Sequence, residues 1–210
     1  MIPLPFWISN GPLSFVLFVL TILTSIMALQ NQQVMERMVM HPFTVKREKE
    51  WFRLLSSGFI HSNWLHLGVN AYTYYFFGPA IEIILGTWAF LAIYFGSMII
   101  ASIPSMIQHS DNALYRSLGA SGAISGLVTA LIMVEPDLPL ELFFFIPMPA
   151  WFLGIGFIVF SFVASIRGLG KIAHDAHLFG ALAGIVITTI MRPDVAENFV
   201  NWVKSALQIG

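Results

Sequence analysis

Of 210 residues, 57% are hydrophobic and only 10% are charged, a balance too apolar for a water-soluble domain of this length, so the main solvent of the folded chain is lipid. The formal net charge of −1, without a basic patch, gives no footprint for nucleic acid as a partner. The absence of cysteine removes disulfides, thiolate chemistry and cysteine metal sites together.

A hydrocarbon core of roughly 30 Å takes about 20 apolar residues per helical span. Apolar runs of that order occur six times, which predicts an all-α polytopic membrane protein folded as one domain over residues 1–210. The first run, 13–29, has no basic residue ahead of it and no convincing small-residue cleavage pattern, so it reads as a permanent span. Residues 30–58 mix VMERMVM, the turn-like HPF and the charged KREKEWF. That suits a first loop, partly helical and lying at the interface, with a solvated loop as the alternative. The next spans are expected at 62–77, 87–107 and 119–134. The link 135–149 is rich in proline among acidic and aromatic residues and cannot be a continuous helix. Spans at 150–166 and 172–191 follow. The tail 192–210 spaces Val195, Phe199, Trp202 and Leu207 as an amphipathic surface helix would.

Polar side chains inside apolar spans are expensive, so each one is a functional hypothesis. They fall in three groups. The fourth span opens with GASGAISGL, putting Gly119, Ser121, Gly122 and Gly126 at a helix start. At 1.5 Å per residue this span covers roughly 24 Å, so it begins inside the membrane with its first N–H groups unpaired. Such an end needs protein or a water-filled cavity beside it, and it offers donors and a partial positive charge to an oxyanion formed at Ser121. Its glycines read equally as a face for close helix packing.

The sixth span reads IAHDAHLFGALAG, with Ala176, Gly180 and Gly184 on one face beside His177. Two small faces allow a serine hydroxyl to meet an imidazole, which makes a neutral His177 the general base. Asp175, two residues from His177, lies about 200° around the helix from it and is poorly placed to orient that ring, so a Ser/His dyad is expected rather than a triad. In the second span, His66 and Asn70 share a helix face and read as oxyanion donors or as interhelical hydrogen-bonding groups. By helical phase, His61 points about 140° away from His66.

Taken in order, FRLLSSGFIHSNWLHLGVN, then GASG, then AHLFGALAG resembles the rhomboid intramembrane serine proteases of the six-span bacterial type. The resemblance implies a six-transmembrane-helix bundle and a serine endopeptidase acting on transmembrane protein substrates in the bilayer, without a cofactor or metal, in a bacterial inner membrane. It implies that Ser121 is nucleophile, His177 its partner, and His66 and Asn70 the stabilisers of an oxyanion. His61, Arg53, Glu82 with Gly86, Gly119, Gly122, Gly180 and Gly184 resemble structural positions. Two departures stand out. Phe52, not Trp51, precedes Arg53, and Ser125 stands where relatives often carry an aromatic ring against the histidine. The fifth span and the loop 167–171 would correspond to a lateral gate and cap.

Two other readings remain: a non-catalytic rhomboid-like protein that binds membrane clients, and a metal- or haem-binding membrane protein using His61, His66, His174 and His177. The count of Lys and Arg favours a cytoplasmic first loop, whereas the resemblance implies a non-cytoplasmic one, and the latter is adopted.

Overall fold

The computed structural model describes residues 11–142, 146–167 and 174–208. The expected cap loop falls largely outside them. The described residues form ten α-helices, one 3-10 turn (Ser57–Phe59) and one short hairpin. Helix α1 (Pro12–Gln30) leads into three short helices, α2 (Gln32–Met38), α3 (Pro42–Glu48) and α4 (Arg53–Ser56). Then come α5 (Trp64–Leu85), α6 (Thr87–His109), α7 (Ser121–Val134), strands β1 (Pro139–Leu142) and β2 (Ile146–Pro149), α8 (Ala150–Arg167), α9 (His174–Met191) and α10 (Pro193–Ala206). Helices α1, α6 and α9 are long and apolar enough to cross a membrane, while α7 and the 150–161 part of α8 are shorter apolar helices.

The helix ends follow local chemistry. Pro12, Pro42 and Pro193 open α1, α3 and α10, where a missing N–H costs nothing. Asn31 caps α2 by accepting from Gln33 N–H at 2.9 Å, and Asn63 caps α5 by accepting from His66 N–H at 2.8 Å. Gly86, at φ 85°, turns α5 straight into α6.

Glu82 is buried at that turn. Its carboxylate accepts from Ser14 N–H at 2.7 Å, Leu13 N–H at 3.3 Å and the Thr87 hydroxyl at 2.9 Å. One carboxyl group thereby satisfies donors at the starts of both α1 and α6.

The first loop is largely helical and is tied to the 110–118 connection. Met40 and Ser117 exchange both backbone hydrogen bonds at 3.0 Å, and Lys46 pairs with Asp111 at 3.0 Å. Arg53 is buried and donates to the carbonyls of Glu36 at 2.7 Å and Val39 at 2.9 Å, while its Nε meets Glu50 at 2.6 Å. Phe52 supplies the ring beside the guanidinium, 5.5 Å away, and Trp51 is exposed.

The proline-rich link forms an antiparallel hairpin pairing Leu140 with Met148 and Leu142 with Ile146. Sequence reading excluded a helix here but gave no strand pairing. The tail is the amphipathic helix α10: Val195 is buried in the core, with Phe199 packed against it, and Trp202 donates to Asp137 at 2.6 Å. Leu207, also expected on that face, lies beyond the helix and is exposed.

Candidate functional site

The centre of the bundle is where α6, α7 and α9 meet through small residues. A Cβ at Gly122 would stand 2.6 Å from the Ala101 Cβ, and one at Gly126 would stand 2.6 Å from the Ser97 Cβ, so α6 touches α7 without room for a side chain. From α9, a Cβ at Gly180 would lie 3.0 Å from Gly122 Cα and one at Gly184 would lie 2.5 Å from Gly126 Cα. These two helices are therefore in backbone contact, an approach only glycine permits. Thr129 seals it by donating to the Ala181 carbonyl across the interface at 2.9 Å.

That contact sets the first two residues of the site. Ser121 begins α7, His177 lies on the first turn of α9, and His177 Nε2 is 2.8 Å from Ser121 Oγ. Asp175 is turned to its own neighbour, accepting from Ala176 N–H at 3.0 Å. Ser125 donates to the Ser121 carbonyl at 2.7 Å, so α7 presents a hydroxyl rather than a ring at that turn. The first intrahelical hydrogen bond at the start of α7 runs from Ile124 N–H to Ala120 O at 3.0 Å, which leaves the N–H groups of Ser121, Gly122 and Ala123 without intrahelical acceptors.

Ser121, His177, His66 and Asn70 line one cavity of about 1650 Å³. It lies between α5, which contributes Leu65, Val69 and Thr73, and α8, which contributes Phe152, Gly156 and Phe157. Asn70 donates to the His66 carbonyl at 2.9 Å, leaving its second amide hydrogen for the cavity. His66 Nδ1 is 3.1 Å from the Ser62 hydroxyl. Gly119, at φ 120°, leads into α7 beside His66: a Cβ there would lie 2.8 Å from the imidazole Cε1.

His61 stands behind these groups, fully buried. Its Nε2 accepts from Ala120 N–H at 3.4 Å, which places the ring proton on Nδ1, donated to Ser25 Oγ at 2.8 Å; Ser25 in turn donates to the Phe59 carbonyl at 2.9 Å. One imidazole thus joins α1, the turn before α5 and the start of α7. The expected 140° separation of His61 from His66 does not hold: their rings are 4.9 Å apart, edge to face. His61 precedes the helix that begins at Trp64, so helical phase does not relate the two.

Sequence reasoning missed Ser25 and the aromatic residues of α8. Phe157 stacks on His177 with centroids 6.0 Å apart, and Phe160 meets His174 edge-on at 5.5 Å. The only sequence signal is that Phe157 and Phe160 share a three-residue spacing with His174 and His177, which keeps the two rings on one face of α8 and the two imidazoles on one face of α9. Among the described residues no three His, Asp or Glu side chains converge as a metal site would need.

The chain spans about half the length, or less, of the curated relatives it matches. It is 29% identical to RHOMBOID-like protein 12, mitochondrial, of Arabidopsis thaliana over 77% of this chain and 53% of that protein. It is 33% identical to the human presenilin-associated rhomboid-like protein, mitochondrial, over 69% of this chain and 39% of that one. Bacillus subtilis YdcA, provisionally named a rhomboid protease, is 40% identical over 37% of this chain and 38% of its own length. The family model of the rhomboid domain matches residues 48–194, which takes in α4 through α9 and every residue that lines the site, and on that match the chain belongs to the rhomboid family.

Proposed function

We propose that this chain is an intramembrane serine endopeptidase that cuts transmembrane segments of membrane-protein substrates with a Ser121/His177 dyad. The observation that carries the reading is the 2.8 Å contact between Ser121 Oγ and His177 Nε2, made at a helix start that faces a cavity. In this mechanism neutral His177 takes the hydroxyl proton as Ser121 Oγ bonds to the scissile carbonyl carbon. The negative charge moves to the carbonyl oxygen, where the N–H groups opening α7, the His66 ring and the Asn70 amide are the donors at hand. As the C–N bond breaks, His177 returns the proton to the leaving amine. Water, deprotonated by the same imidazole, then bonds to the acyl carbon, and as the ester C–O bond breaks His177 returns that proton to Ser121 Oγ.

The contacts above support these structural roles: Gly122, Gly180 and Gly184 bring the dyad together, Gly119 turns the chain into α7 beside His66, Arg53 and His61 hold the first loop and the start of α7, and Glu82 with Gly86 fix the α1–α5–α6 corner. Six spans are assigned to α1, α5, α6, α7, α8 and α9, in a single domain with α2–α4 at the interface and α10 as a surface tail. The site mouth and the first loop are assigned to the non-cytoplasmic side of a bacterial inner membrane. The B. subtilis match supports that membrane, and the mitochondrial relatives favour a mitochondrial membrane as the second reading.

The test is cleavage of a labelled transmembrane peptide by the purified protein. Ser121→Ala and His177→Ala should each abolish it while remaining folded and extractable. Full cleavage by either variant would overturn the dyad, and no turnover by the unaltered protein would favour a client-binding role.

A further inference from the structure

The imidazole of His177 has, among the described residues, one hydrogen-bonding partner, the hydroxyl of Ser121. The carboxylate of Asp175 is engaged with the Ala176 N–H, so it does not hold the Nδ1 side. Nor does α7 hold the ring face, because Ser125 turns its short side chain back to the Ser121 carbonyl. A base attached by a single bond to its own nucleophile has nothing in this polar network to keep it in place once that hydroxyl proton has moved.

What does meet the ring is an aromatic side chain from another helix. The planes of Phe157 and His177 are inclined by only 29°, with centroids 6.0 Å apart, within the range of an offset stack. One helical step on, Phe160 meets His174 at 87°, and His174 meets His177 at 6.1 Å and 89°. Two rings three residues apart on α8 thus face two imidazoles three residues apart on α9.

Resting on the dyad reading, we propose that Phe157 is the positioning residue of His177: its ring holds the imidazole plane in the orientation that aims Nε2 at Ser121. Because Phe157 also walls the cavity between α5 and α8, the helix that borders the substrate groove is the one that orients the base. Without the ring, the two side-chain torsions of His177 sample other wells, and the fraction of protein with a productive base falls.

The experiment compares Phe157→Leu, which keeps apolar bulk but loses the ring, with Phe157→Tyr, which keeps it, both in the full-length protein. Each is measured for kcat and KM on a labelled transmembrane peptide, for the rate at which a fluorophosphonate labels Ser121, and for thermal midpoint. Phe157→Leu is expected to lower kcat and the labelling rate together by about tenfold, at unchanged KM and midpoint, with Phe157→Tyr within about twofold of the unaltered protein. A Leu variant with normal kcat and labelling, or one that changes only KM, would overturn the proposal and leave Phe157 as a wall of the groove. Absence of both turnover and labelling in the unaltered protein would instead overturn the dyad reading, and this one with it.

Discussion

Replacing Gly180 by alanine asks how far the proposed Ser121/His177 dyad depends on backbone contact between α7 and α9. The added Cβ would stand 2.9 Å from the Gly122 carbonyl carbon and 3.0 Å from its Cα, and nearer still to its oxygen. These are main-chain atoms in a helix, so no rotamer change makes room. Restoring carbon–carbon separations of about 3.5–4.0 Å requires α9 to withdraw by roughly 0.5–1 Å. The same withdrawal stretches the 2.8 Å contact between His177 and Ser121 past about 3.2 Å, where the hydrogen bond weakens. Overpacking of this kind costs about 1–3 kcal/mol, and a misplacement near 1 Å lowers catalysis by about 10²-fold. Thermal midpoint and single-turnover cleavage in detergent read the two effects separately. Gly68→Ala is the control, since a Cβ there meets nothing within 4 Å. A folded Gly180→Ala protein cleaving within about threefold of the unaltered rate would refute the reasoning.

His61→Ala should lower the thermal midpoint, because Ala120 N–H and Ser25 lose their buried partner at about 1–3 kcal/mol, whereas His66→Ala should chiefly lower kcat by about 10²–10³-fold in the single-turnover rate. His41, outside the spans, has its pKa held below its ordinary 6.5 by burial and the nearby Arg116. The unfolded chain therefore binds that proton first as pH falls, so His41's contribution to stability is complete above about 6.5 and is lost below it. Thermal midpoints between pH 5 and 7.5 should slope less in His41→Gln. Single cysteines at Lys46 and at Glu141 should react with an impermeant thiol reagent from opposite sides, Lys46→Cys from outside intact cells; labelling of that variant only after lysis would reverse the orientation.

The helices were legible because lipid leaves the backbone no other way to satisfy itself. The apolar runs accordingly fall on α1, α5, α6, α7, α8 and α9, with errors at the ends where tertiary partners decide. Helix α5 was expected to stop at Phe77, before Gly78 and Pro79, yet it continues to Leu85. Glu82 on that extension, about two turns long, reaches the donors of α1 and α6, a contact between distant parts of the chain that no local pattern contains. The link after α7 shows the converse. Its prolines exclude a helix by removing donors, but the pairing of Leu140 with Met148 depends on register, which composition does not carry.

In the site, legibility followed cost. Ser121, His177, His66 and Asn70 stood out because a polar side chain in an apolar run must be satisfied by something, and asking by what leads to a partner. The glycines stood out for a related reason, since their four-residue spacing is a face with no side chains to pack, and GxxxG-like faces need a second such face to close against. His61 was visible by the same polarity but misplaced, because the phase argument assumed a helix that had not yet begun. Phe157 was invisible. A phenylalanine in a lipid-facing run costs nothing and asks for no explanation, so only the position of the ring over His177 distinguishes it from its neighbours on α8. The residues most readily overlooked in a membrane-embedded site are therefore the apolar ones that orient polar groups, and they are found by asking of each polar side chain what holds the faces that carry no hydrogen bond.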